Sequence, residues 1–212
     1  MRKLGFGQIK PLRRMLFMST TTTNMGKNIS NAVYVLKETY KNLNLFFLEL
    51  DRIGEKEGFV PITPKFLRWK SDSDYDGWLT SNFIKLYQLE RDSPLNHIPS
   101  IKSGYLYGIE VDLEENEYPI ISLIRYNFDY SGWTRIPAIS DHWVFWDPFR
   151  VEKFFKITED SGLWTSIPLE KGQSRYWGIQ NAVAKAIPLL SITSSEAIKT
   201  QIFQELENLP LI

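Results

Sequence analysis

Apolar residues recur at alternating steps of four and three along one early stretch: Ile29, Val33, Leu36, Tyr40, Leu43, Phe47 and Leu50. That spacing places them on one face of a helix. Lys37, Glu38, Lys41, Asn42, Glu49 and Arg52 fall largely on the other side, and neither proline nor glycine intervenes before Gly54. The pattern predicts an amphipathic helix over 29–53, roughly 35 Å long, with Asn28 or Ser30 as its cap. Its stripe is too wide and too aromatic for a two-stranded coiled coil. It calls instead for a broad apolar surface to lie on.

The period then shortens to two. Within Trp78–Leu89, the residues Phe83, Lys85 and Tyr87 alternate with Ile84, Leu86 and Gln88. Tyr105–Leu113 sets Leu106, Gly108 and Glu110 against Tyr107, Ile109, Val111 and Leu113. Glu114–Glu117 turns the chain and Tyr118–Phe128 returns, the pattern of a hairpin. Trp143–Trp146 reads as a further strand, closed by Asp147-Pro148. Phe59–Ile62 reads as a short strand that Pro61 confines to an edge, and Phe66–Trp69 as a helical turn. Beyond these, Val151–Ile157 and Ile179–Leu190 read as helices, Gly162–Pro168 as loop or short strand, and Lys171–Gly178 as a loop. Ser194–Leu209 reads as a helix with Ala197, Ile198, Ile202, Phe203 and Leu206 on its apolar face. Ser131-Gly-Trp-Thr-Arg-Ile-Pro137 and Ser161-Gly-Leu-Trp-Thr-Ser-Ile-Pro168 echo each other, but two copies are too few for a solenoid.

Together these elements predict an α+β fold: an antiparallel β-meander of about four to six strands packed against a long N-terminal helix, with C-terminal helices. Residues 28–212 are expected to form a single domain behind a flexible basic and polar tail, 1–27.

Charge sharpens that division. The chain of 212 residues has 25 basic and 25 acidic residues. Arg2, Lys3, Lys10, Arg13 and Arg14 all lie in 1–17, which holds no acid, so the remainder carries 20 basic against 25 acidic residues. A mildly acidic body argues against broad phosphate binding. The basic segment is too short in its apolar run for a secretory core. Gly5, Gly7 and Pro11 break it as an amphipathic anchor. It is expected to be a tail, or an extension ahead of a start at Met18 or Met25. No stretch approaches the length of a membrane-spanning helix, so no membrane association is expected.

The absence of cysteine excludes disulfides, thiol nucleophiles and thiolate metal centres, and suits a cytoplasmic protein. With only His97 and His142, a His-rich metal site is not expected. Asp72-x-Asp74-x-Asp76-Gly77 matches the opening of a calcium loop. The twelfth position is Phe83, which supplies no oxygen, and an acidic turn with Asp side chains bonding their own backbone accounts for the motif. No cofactor is expected, with calcium at Asp72, Asp74 and Asp76 as the alternative.

No serine lies in a G-x-S-x-G elbow, and no phosphate-binding glycine loop is present. Glu110 and Asp112 share one strand face and, with His142, are the residues from which a small hydrolase site would be built. Their alternation with Ile109 and Val111 is explained equally by acids facing water, and that is the expectation. Basic residues beside rings recur at Lys65, Arg68, Trp69 and Lys70, and at Lys171, Arg175, Tyr176 and Trp177. The second group would bind a nucleotide or a single strand through a Lys171–Trp177 loop.

Aromatics make up 14% of the chain, and rings are favoured at interfaces. The expectation is therefore a non-catalytic domain that binds a protein partner or itself through Trp133, Trp143, Trp146, Trp164 and Trp177. Nucleotide or nucleic-acid binding and hydrolysis stand as alternatives, and whether the protein is an enzyme is left open.

Overall fold

The computed structural model describes residues 20–114 and 118–212. The basic segment 1–17 lies outside them. The chain divides into two compact units, 1–48 and 49–212.

Helix α1 runs from Thr20 to Lys56, beyond the predicted 29–53 at both ends, so residues 20–27 of the expected tail are helical. Its end is set by Gly58, whose φ of 79° lies in the left-handed region that stops a helix at low cost. In the first unit, the described part is α1 as far as Leu48. Its charged residues from Asn24 onward, Lys27, Lys37, Glu38 and Lys41, avoid the Ile29–Val33–Leu36–Tyr40 stripe. Ile29 and Val33 are exposed.

The second unit is built on a seven-stranded antiparallel sheet in the order β1-β2-β3-β4-β7-β6-β5. The strands are β1 (Phe59–Pro61), β2 (Asn82–Leu89), β3 (Leu106–Asp112), β4 (Ile120–Phe128), β5 (Phe155–Asp160), β6 (Leu163–Pro168) and β7 (Ile179–Pro188). The α+β class is as expected, and the sheet is wider than the meander the pattern predicted. Strands β2 to β4 fall where the period of two put them.

One face of this sheet carries Lys85, Tyr87, Ile109 and Val111. The last turns of α1 lie against it: Asp51 accepts from Lys85 Nζ at 2.8 Å and from the Tyr87 hydroxyl at 2.7 Å. The C-terminal helices share that face. They comprise α4 (Ser195–Ile198), a π turn (Lys199–Phe203) and α5 (Gln204–Asn208). Ser194 caps the first of them by accepting from the Ala197 amide at 3.1 Å, and the Phe203 ring meets Phe59 at 4.9 Å between centroids.

The opposite face is covered by residues 130–155. Phe145 is fully buried, and its carbonyl accepts from the Tyr126 hydroxyl at 2.7 Å. Phe128, Tyr130 and Trp133 pack edge to face beside it. Burying such rings supplies about 1.5–3 kcal/mol each.

Coverage of both faces corrects the expectation that Glu110 and Asp112 face water. Their alternation with Ile109 and Val111 is real, but it separates two buried faces. Glu110 is 1% exposed and Asp112 7%.

Other elements differ from expectation for local reasons. Trp143–Trp146 is not a strand but lies in α2 (His142–Trp146). Its neighbours Val144 and Phe145 are both buried, which strand parity on a one-sided surface would forbid. The helix predicted at 151–157 gives way to β5. That strand joins β6 through Ser161 and Gly162, whose φ values of 53° and 81° are those of a tight hairpin turn. The similar 131–137 segment makes a 3₁₀ turn and coil instead, so the echo is not a structural repeat. Phe66–Trp69 is extended, with Leu67 bridging Ile84.

Ile179–Leu190, predicted as helix, is mostly β7. Alanine favours helices, but Ala182, Ala184 and Ala186 stand opposite Tyr126, Ile124 and Ser122. There small residues let large cross-strand neighbours pack. The expected 171–178 loop is largely α3 (Glu170–Arg175).

Candidate functional site

Asn82 opens β2 directly opposite Asp112, and Ile84 stands opposite Glu110. This register gathers one amide and two carboxylates on the covered face. Asn82 Nδ2 donates to Glu110 Oε1 at 2.5 Å and to Asp112 Oδ2 at 2.8 Å. Its Oδ1 faces His142 Nε2 at 2.6 Å.

The chemistry of these groups fixes the proton. Carboxylates accept, so the amide nitrogen must face them and the amide oxygen must face the ring. Nε2 is therefore the protonated nitrogen of His142, and Nδ1 is an acceptor. Among the described residues no buried side-chain nitrogen or oxygen lacks a partner, and Nε2 to Asn82 is the ring's hydrogen bond. The ring itself is buried, 4% exposed.

Arg150 follows α2 through the Asp147-Pro148-Phe149 turn. Its guanidinium lies 2.9 Å from Glu110 Oε1 and 3.6 Å from Asp112 Oδ2. It also sits over the Trp146 ring at 4.6 Å, so one cation pairs with both acids and packs the indole.

Asn82, Asp112, His142 and Arg150 line a cavity of about 640 Å³ whose walls include Trp69, Trp143 and Trp146. Asp76, Glu114 and Asp147 also line it, so its surplus charge is negative. Burial, then the nearby Arg150 charge, lowers His142 to about 4, and the ring is neutral at physiological pH. Burial raises the Asp147 carboxyl above its usual range, opposed by the Tyr176 hydroxyl, which donates to Asp147 Oδ2 at 2.6 Å.

The chain matches no family model, curated protein or solved structure. The reading of the site rests on these contacts.

The structure thus brings Glu110, Asp112 and His142 together around Asn82. The five tryptophans do not form one surface. Trp143 and Trp146 wall the cavity. Trp133 is buried and donates Nε1–H to the Trp177 carbonyl at 2.8 Å. Trp164 is the exposed member, on the β5–β6 hairpin. More exposed rings lie elsewhere, at Tyr75 and Trp78.

Lys171 and Arg175 belong to α3, and Tyr176 follows it. Arg175 stacks on Phe154, Trp143 and Tyr176. The amides of Gly172, Gln173 and Tyr176 already donate to Leu169 and Gly172 carbonyls. Asp72 pairs with Lys70 at 3.0 Å, and Asp74 accepts from the Asp76 amide at 3.4 Å. Among the described residues no group of three His, Asp or Glu side chains is disposed to hold a metal ion, and no helix is long and apolar enough to cross a membrane.

Sequence reasoning missed Asn82 and Arg150. Asn82 did leave a signal: it is in phase with Ile84 and Leu86, a polar residue on an apolar face.

Proposed function

We propose that the protein binds a small polar ligand, neutral or cationic, in the cavity walled by Trp69, Trp143 and Trp146. The observation that carries this reading is Asn82 held between two buried carboxylates and His142, on the lining of that cavity. Buried groups whose orientations are locked by their neighbours recognise a ligand without reorganising. Indole walls supply flat apolar contact, and the acidic lining disfavours phosphate-bearing ligands.

Hydrolysis is the second reading, favoured by the convergence of Glu110, Asp112 and His142. It ranks lower on the chemistry of those groups. A histidine lowered to about 4 accepts a proton poorly at neutral pH, and both carboxylates are engaged by Arg150 and Asn82. Binding of a protein partner through an aromatic surface loses its motivation, because the proposed anchors are dispersed.

The test is a thermal-shift screen of neutral, cationic and anionic polar metabolites, with hits confirmed by calorimetry. Neutral or cationic hits weakened by Trp143→Ala and His142→Ala are expected. Hits that are mainly phosphorylated, or that ignore both substitutions, would reject the cavity as the binding site. Turnover of a bound hit would move the assignment to the hydrolase.

A further inference from the structure

A second cavity, of about 850 Å³, lies between residues 63–70 and 135–140. Trp69 lines both cavities, yet their charges are opposite. The second is lined by Lys65, Arg68, Lys70 and Arg135 and by no carboxylate, in a body whose acids outnumber its bases. Lys70 is paired with Asp72 and Arg135 with Asp141. Arg68 and Lys65 have no side-chain hydrogen bond or ion pair with any described residue. Arg68 is moreover half-buried. A guanidinium on a cavity wall with no carboxylate beside it is free to pair with a carboxylate or phosphate brought by a ligand.

The backbone holds Arg68 in place: its amide donates to the Ile139 carbonyl at 3.2 Å, and Leu67 beside it is bridged to β2. The floor between the cations is aliphatic, made by Leu67, Ile136, Pro137, Ala138 and Ile139. Trp69 is its single ring, too few for a run of stacked bases. Its volume lies within the range of small-molecule sites.

We infer that this second cavity takes an anionic amphiphile, a molecule with a carboxylate or phosphate-monoester head on a short apolar body. The head meets Arg68 and Lys65, and the body lies on Ile136 and Ile139. The site is separate from the cavity beside His142, so either can fail without the other.

Equilibrium dialysis of the full chain with radiolabelled decanoate tests it, with decyl phosphate, decanol and decyltrimethylammonium run alongside. Saturable binding of one decanoate or decyl phosphate per chain is expected. Arg68→Gln should weaken it about tenfold, equivalent to about 1.4 kcal/mol. The exposed Lys65→Gln supplies a second variant should Arg68→Gln unfold. Ile29→Ser/Val33→Ser, which removes the exposed apolar residues of α1, should leave binding unchanged. Equal binding of decanol or of the cationic amphiphile, binding indifferent to both charge substitutions, or loss with the α1 variant would each overturn the assignment.

Discussion

Asn82 Oδ1 meets His142 Nε2 at 2.6 Å across 60 residues of sequence. This contact ties β2 to the helix that covers it. Because Asn82 Nδ2 simultaneously holds Glu110 and Asp112, removing the amide strips partners from three buried groups. Asn82→Ala is expected to destabilise the protein by about 2–4 kcal/mol. Asn82→Asp should cost more near neutral pH, since it adds a third carboxylate to the cluster. Its deficit should shrink in acid. Urea unfolding at two pH values measures both, and a near-neutral Asn82→Ala would show that the contacts are not cooperative.

Stability should fall as the pH drops from about 6.5 to about 4. His142 titrates near 6.5 when unfolded and near 4 when folded. Between those values the unfolded chain binds more protons, so acid favours unfolding. The contribution is complete above the upper value and lost by the lower one, and amounts to roughly 3 kcal/mol. His142→Gln should flatten this part of the stability–pH curve. Glu49, lowered to about 2 by Arg52 and then Ser195, acts from about 4.5 downward, so the upper part of the His142 window, above pH 4.5, is free of it. If His142→Gln leaves the slope unchanged, the acid sensitivity does not originate in the buried imidazole.

The same cluster shows what a lone sequence reveals. Periods of 3.6 and 2 located α1 and β2 to β4, because these elements have one-sided or alternating patterns. They did not show that both faces of β3 are covered. Parity separates Glu110 from Ile109, but which face meets water depends on the 130–155 layer, contributed by distant residues. β7 was misread because alanine's local preference for helix was outweighed by its fit beside Tyr126 and Ile124. Asn82 and Arg150 come from separate segments, and only the strand register and the α2 turn bring them to Glu110.

The Asp51–Lys85 pair should be costly to halve and cheap to remove whole. The Lys85 side chain is 3% exposed and that of Asp51 35%. Asp51→Ala strands a buried ammonium and also takes the acceptor from Tyr87. Breaking a fully buried pair costs about 3–5 kcal/mol. Water at Asp51 reduces this, so about 2–3 kcal/mol is expected. Asp51→Ala/Lys85→Met should regain most of that loss, because a packed methionine needs no counter-charge. Denaturant midpoints of the single and double variants decide it. A double variant no better than Asp51→Ala would place the cost in Tyr87 instead.

Gly178 should tolerate no side chain, whereas Gly132 should accept one. Gly178 has a φ of 82°, and a Cβ there would lie 2.5 Å from the Asp129 carbonyl oxygen. That oxygen belongs to backbone, and the Asp129 amide donates to the Gly178 carbonyl at 2.8 Å, so neither strand can retreat without breaking the link. Left-handed backbone strain alone costs an alanine about 1 kcal/mol, and the clash adds to it, so Gly178→Ala should lose about 2–4 kcal/mol. At Gly132 an added Cβ meets nothing within 4 Å. Gly132→Ala should therefore be neutral, or stabilising by up to about 1 kcal/mol through the unfolded chain. The effect at Gly178 should also reach the ligand cavity. Tyr176, two residues earlier, holds Asp147 on its wall. Gly178→Ala is expected to weaken ligand binding as well as stability, and Gly132→Ala to change neither adversely. Thermal unfolding and ligand calorimetry on the two variants test the pair, and equal losses at both positions would remove the conformational explanation.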